Sequence, residues 1–155
     1  MKDNDLKTYR QMLDALQFKE LEYALGKLSF GDRKDAIHLL AYNSDTDESN
    51  LTIYTFLQSL LYKHESVEVH FFASQVMAFT LNHVDKAELI GLFHALRASE
   101  LDPQDADILE YLLYFNHIPE KLLGDGKAIE IAKQVILKKP ESKAAQLTLA
   151  KLAYK

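Results

Sequence analysis

Apolar residues recur every three or four positions along most of the chain, and no stretch alternates apolar and polar residues as a half-buried strand would. The pattern therefore predicts helices throughout. Residues 5–16 place Leu6, Tyr9, Leu13 and Leu16 on one stripe, and residues 19–28 do the same with Leu21, Ala24, Leu25 and Leu28, ahead of a break near Gly26 and Gly31. Asp32 is expected to cap a third helix running through Ile37, Leu40 and Ala41. The polar run Asn43-Ser44-Asp45-Thr46-Asp47-Glu48-Ser49-Asn50 predicts a loop. Beyond it, residues 51–62 and 67–84 are apolar on more than one face, the mark of helices buried between neighbours. Asp85 with Glu88 predicts a capping pair for a helix reaching residue 100. Asp102 and Pro103 are then expected to supply the N-cap and first-turn proline of a helix over 104–117. Pro119, Gly124 and Gly126 break the pattern over 118–126, and two last helices are predicted over 127–138 and 142–153, split by Pro140.

The C-terminal part repeats itself. The segment from Ala95 to Pro103 is echoed by the one from Ala128 to Pro140, with small and apolar residues at helical spacing running into a proline and a fresh helix opening after each. Arg97-Ala98-Ser99-Glu100-Leu101-Asp102-Pro103 resembles the close of a tetratricopeptide repeat, and Ala128, Ala132, Val135 and Pro140 fill equivalent places in the next unit. Ala145, Leu149 and Ala150 resemble the start of one more helix. The aromatic and glycine signature of that family's first helix is largely missing, because Leu109, Leu112 and Leu113 occupy its stripe.

This resemblance is confined mainly to residues 92–155 and implies an all-α fold, an α-α superhelix or short α-solenoid of antiparallel helix hairpins, tetratricopeptide-like at its C-terminal end. Residues 1–155 are expected to form a single helical-repeat domain, with N-terminal helices over 1–42, HEAT-like hairpins over 51–100 and tetratricopeptide-like units over 104–155. In the family, the first helix of each pair lines the ligand groove. The resemblance thereby implies a partner-binding face of Asp107, Glu110, Tyr114 and His117, continued on the last helix by Leu147, Lys151 and Tyr154.

A chain of 155 residues, 48% hydrophobic and 26% charged, is of the ordinary size for one domain. The absence of cysteine excludes disulfides, thiolate metal sites and nucleophilic thiols, and a cytoplasmic setting is the expectation. The charged start Met1-Lys2-Asp3-Asn4-Asp5 lacks the apolar run of a signal peptide, and no stretch has the roughly 18 apolar residues of a bilayer span, so no membrane partner is expected. Asn50-Leu51-Thr52 matches a glycosylation acceptor, a pattern without consequence unless the chain is secreted. Charge is uneven along the chain. Residues 43–119 hold 3 Lys or Arg against 12 Asp or Glu, whereas residues 120–155 hold 8 against 4. An acidic middle repels phosphate backbones and attracts a basic protein, so a basic protein partner and no nucleic acid are expected.

Catalytic patterns are missing. The histidines His38, His64, His70, His83, His94 and His117 show no paired spacing of a helical zinc site. The run from Asp45 to Asn50 begins like a calcium loop, but lacks the central glycine and has Phe56 where the bidentate glutamate belongs. Neither a phosphate-binding glycine loop nor a G-x-S-x-G elbow occurs. The expectation is a non-enzymatic protein-binding module without cofactor or metal, its specific form an immunity protein that neutralises a basic bacterial toxin domain. A scaffold or chaperone-like adaptor is the alternative use. The rival from another class is a helical metal-dependent enzyme built on His64, Glu65, Glu68 and His70, and a homodimer through residues 51–62 and 67–84 stands as a third arrangement.

Overall fold

Side-chain caps at Ser29, Ser66, Asp105 and Ser142 decide where four of the helices begin, and two of these caps differ from the sequence expectation. The structure, a computed structural model, describes residues 3–152. Helices α1 (Asp3–Asp14) and α2 (Phe18–Leu25) meet at Leu16, which takes a left-handed conformation. Helix α3 (Phe30–Ala41) is capped by Ser29, whose hydroxyl accepts from the Asp32 amide at 3.2 Å and donates to the Asp32 carboxylate at 2.6 Å. Asp32 is thus the cap's partner inside the first turn, because the helix begins three residues earlier than expected and the Asp32 amide is itself the one Ser29 satisfies.

The polar segment predicted as a loop folds into a small hairpin. Strands β1 (Tyr42–Asn43) and β2 (Glu48–Ser49) pair antiparallel, with Asp47 left-handed in the turn and its carboxylate accepting from the Tyr42 hydroxyl at 2.6 Å. Helix α4 (Thr52–Lys63) buries Ile53, Phe56 and Leu57 but leaves Tyr62 exposed, so it is covered on one side only. Helix α5 (Val67–Gln75), capped by Ser66, does not run on to residue 84: it passes into a π-helical segment, Val76–Thr80. Wider turns of this kind re-aim the side chains that follow them.

Helix α6 (Ala87–Leu101) starts after a left-handed Lys86 with no side-chain cap, so Asp85 and Glu88 do not form the expected pair. Asp102 accepts from the Gln104 amide in a tight turn, and the true N-cap of α7 (Ala106–Leu112) is Asp105, bonded to the amides of Asp107 at 2.8 Å and Ile108 at 3.1 Å. Pro103 therefore lies in the turn and not in the helix. A tighter turn at Leu113 divides α7 from α8 (Tyr114–His117), where a single helix was expected. Helices α9 (Asp125–Lys138) and α10 (Lys143–Leu152) complete the chain.

Consecutive helices pack on one another: α4 on α5, α5 on α6, α6 on α7, α7 on α9 and α9 on α10, while α1 closes against α2, α3 and α4. One buried cluster gathers Leu13, Leu21, Ile53, Phe56, Leu57, Phe72 and Met77 from α1 to the π segment, and another gathers Leu112, Leu113, Phe115, Ala132 and Val135 from the later helices. Each large apolar side chain so buried contributes about 1.5–3 kcal/mol.

The sequence echo extends to the backbone. Asp102 ends α6 at φ −134° and ψ 84°, and Lys139 ends α9 at φ −133° and ψ 77°. A proline follows each, and the N-caps Asp105 and Ser142 come two residues after it. The buried residues Gly91, His94, Ala95 and Ala98 of α6 map onto Ala128, Ile131, Ala132 and Val135 of α9 at the same offset as Pro103 onto Pro140.

Candidate functional site

The turn between α6 and α7 concentrates carboxylates for a local reason: Asp102 and Asp105 are needed to satisfy amides that the proline turn leaves open. Asp107 and Glu110 follow in α7, and a single cation answers both. Lys139 Nζ lies 2.6 Å from Asp107 Oδ1 and 2.6 Å from Glu110 Oε2. The Ser142 hydroxyl donates to the other oxygen of Glu110 while also capping α10 at the Ala145 amide. Lys139, and then Ser142, hold the Glu110 carboxyl below its ordinary range. The Asp107 side chain remains 81% exposed.

Tyr114 lies elsewhere, in a row of aromatic rings. Phe71 of α5 meets Tyr111 edge-on at 5.3 Å, Phe79 of the π segment meets Tyr111 at 5.8 Å and Tyr114 at 4.8 Å, and the two tyrosines stack at 6.3 Å. The Tyr111 hydroxyl is hydrogen-bonded to Ser74 Oγ at 2.9 Å, and burial pushes its pKa up. His117 is placed further along, its Nε2 2.8 Å from Thr148 Oγ1, in a polar depression shared with Lys121 and Lys151. Burial, then the charge of Lys151, lowers the His117 pKa. Tyr154 lies outside the described residues.

Of the expected face, then, the structure brings Asp107 to Glu110 and His117 to Lys151, with Tyr114 in a separate contact. A tighter turn at Leu113 interrupts the helix between Glu110 and Tyr114, and the residues on either side meet different partners: Lys139 and Ser142 for Glu110, Phe79 for Tyr114 and Thr148 for His117.

A depression of about 370 Å³ opens between α3, α5 and α7, lined by Phe30, Val67, Phe71 and Ile108, with Glu68, Asp105 and Asp107 at its edge. Its lining carries three carboxylates and no cation, although Arg33 answers Glu68 and Lys139 answers Asp107 from outside it. Phe30 is 50% exposed and Phe79 43%, so the rings present apolar surface to solvent. Sequence reasoning passed over Phe30, Phe71 and Phe79. The available signal was that residues 67–84 carry more apolar positions than one buried stripe can use.

A second depression, about 410 Å³, lies between α2, α3, α4 and α5 over Leu25, Ile37, Phe56 and Leu57, with the ion pairs Lys63–Glu22 and Arg33–Glu68 at its rim. The dense cluster after α4 is spent on protein contacts: Glu65 meets Arg97 and His70, Glu68 meets Arg33, and His64 is exposed. Among the described residues no group of three or more metal-ligating side chains is gathered, and no helix is long and apolar enough to cross a membrane. Comparison with protein-family models, curated proteins and solved structures yields no match to the chain.

Proposed function

We propose that this chain is a non-enzymatic protein-binding module whose later helices form tetratricopeptide-like pairs, and that it docks a basic, apolar-anchored segment of a partner protein. The observation behind this is the coincidence of aromatic rings with carboxylates: exposed Phe30 and half-buried Phe71 line the depression between α3, α5 and α7 together with Glu68, Asp105 and Asp107, and exposed Phe79 continues the rings from Phe71 through Tyr111. The repeated helix endings at Asp102 and Lys139, and the matched buried positions of α6 and α9, support the repeat. In such a stack α5, α7 and α10 are the first helices of successive pairs, the ones that line a groove.

Aromatic rings anchor an apolar side chain at low entropy cost, and the carboxylates steer and orient cationic neighbours. Occupying the basic site of another protein, as an immunity protein does, is the use that suits this charge pattern. The experiment titrates a fluorescent peptide of alternating lysine and leucine, and its glutamate counterpart, against the wild-type chain, Phe79→Ala and Asp107→Lys. The lysine peptide should bind, weaken about tenfold in either variant and weaken with salt. Equal binding of the glutamate peptide, or unchanged binding in both variants, contradicts the proposal.

A further inference from the structure

Two histidines meet in the interior where α5 packs on α6. His70 is 4% exposed and His94 1%, and their Nδ1 atoms stand 2.8 Å apart, so one hydrogen lies between two rings. His70 Nε2 faces Glu65 Oε1 at 3.0 Å, and Glu65 is gripped in turn by Arg97 through Nε at 2.9 Å and Nη2 at 3.0 Å. On the other side His94 Nε2 lies 3.0 Å from the Tyr54 hydroxyl and 3.1 Å from Gln58 Nε2, both on α4. Three helices and the turn before α5 therefore share one hydrogen-bonded chain.

Its direction follows from what each group can do. An ionised carboxylate only accepts, so His70 carries hydrogen on Nε2 and, when neutral, offers Nδ1 as an acceptor. His94 must then donate from Nδ1, and its Nε2 accepts from Tyr54 or Gln58. With both rings neutral every group is satisfied.

One added proton is accommodated. It sits on His70 Nδ1, His94 Nδ1 turns acceptor, and the hydrogen of His94 moves to Nε2, which donates to the Tyr54 oxygen while the Gln58 amide turns its oxygen toward the ring. A second proton is not accommodated, because two N–H groups then face each other across 2.8 Å with no acceptor between them. The charges around the pair are Glu65 from the turn and Arg97 with Glu100 from α6, and Tyr54 is the titratable group contributed by α4. Helix α7 reaches α5 through Tyr111 on Ser74, not on the histidines.

We propose that His70 and His94 form a proton-operated latch joining α5 to α6, closed while the pair holds at most one extra proton and opened when both rings are charged. Its position between buried helices makes the opening local to α4, α5 and α6, with α9 and α10 outside it. Burial, then the charge of His70, lowers the His94 pKa to about 4, which sets where the second proton arrives. Below the unfolded value of 6.5 the unfolded chain already holds the His94 proton that the folded chain refuses. Stability from this ring is therefore full above 6.5 and is lost as pH falls toward 4, by up to tenfold in the folding equilibrium per pH unit.

The test is nitrogen-15 NMR of the histidine rings of the full chain from pH 7 to pH 3.5, with amide protection factors measured over the same range. The expected result is a neutral His94 with hydrogen on Nδ1 at pH 7. Protection should then fall at least tenfold in α5 and α6, relative to α9 and α10, once His94 charges. His94→Phe should lose that selective fall, and should it fail to fold, the wild-type measurement decides alone. His94 with hydrogen on Nε2 at pH 7, or both rings charged without loss of α5 and α6 protection, overturns the latch.

Discussion

Gly91→Ala should destabilise the protein although it removes a glycine from the middle of a helix. On propensity alone the change favours the folded state by about 1 kcal/mol. Space decides the other way. A Cβ built on Gly91 would stand 3.0 Å from the Ala78 Cβ, 3.1 Å from the Ser74 carbonyl oxygen and 3.3 Å from the Ala78 amide nitrogen. Two of these neighbours are backbone, held by the junction of α5 with the π segment, and Ser74 Oγ also donates to the Gly91 carbonyl at 2.6 Å. Relief requires α6 to shift, and overpacking of this kind costs about 1–3 kcal/mol. Since carbon and oxygen rest best near 3.5 Å or beyond, the upper part of that range applies, leaving a net loss of about 1–2 kcal/mol. Gly126→Ala is the control, because Gly126 lies in the first turn of α9 with nothing within 4 Å of its added Cβ, and it should gain up to about 1 kcal/mol. Urea denaturation at neutral pH reads both as midpoint shifts of opposite sign at unchanged slope. Should Gly91→Ala match or exceed the wild-type midpoint, the close contact of α6 with the π segment is wrong.

Other outcomes follow from single contacts. Ser142→Ala removes both the cap on the Ala145 amide and the donor to Glu110, and should cost about 1–2 kcal/mol in the same assay; a loss of only a few tenths would remove Ser142 as the hinge between α9 and α10. Arg97→Met should raise the Glu65 carboxyl from about 2 toward its ordinary 4.5, leaving it somewhat low because His70 still touches it, as read by carbon-13 carboxyl titration. For a carboxyl so lowered, the stability it lends is present above the ordinary value and is lost as pH falls through the lowered one, so the variant should give up less stability below pH 4.5 than the wild type does. An unmoved Glu65 titration would mean that Arg97 does not grip it in solution.

Much of the helical content was legible because helical periodicity survives without knowledge of neighbours. The caps were less so, since Ser29 and Asp32, like Asp102 and Asp105, are both capping residue types three positions apart, and only where the helix begins selects between them. The hairpin at Tyr42 was hidden by its polar composition, because its register rests on a left-handed Asp47 and the Tyr42 hydroxyl and not on an apolar face. The π segment had no local signature at all. Its consequence reaches furthest: it turns Phe79 outward against Tyr111 and Tyr114, so the aromatic row draws on α5, the π segment, α7 and α8, which no spacing within one helix could reveal. The echo of one proline-closed helix ending in the other is a property of the sequence itself, and the face was assigned as though α7 ran unbroken through Leu113.

The docking face can be tested directly by placing a photo-reactive phenylalanine analogue in place of Phe79, 43% exposed in the aromatic row, or in place of Leu137, 85% exposed on α9, and irradiating the chain with the lysine–leucine peptide. Cross-linking at position 79 and not at position 137 is the predicted result. Equal yields at both positions, or adducts at 137 alone, would contradict a partner seated on the rings that run from the depression through Tyr111 to Phe79.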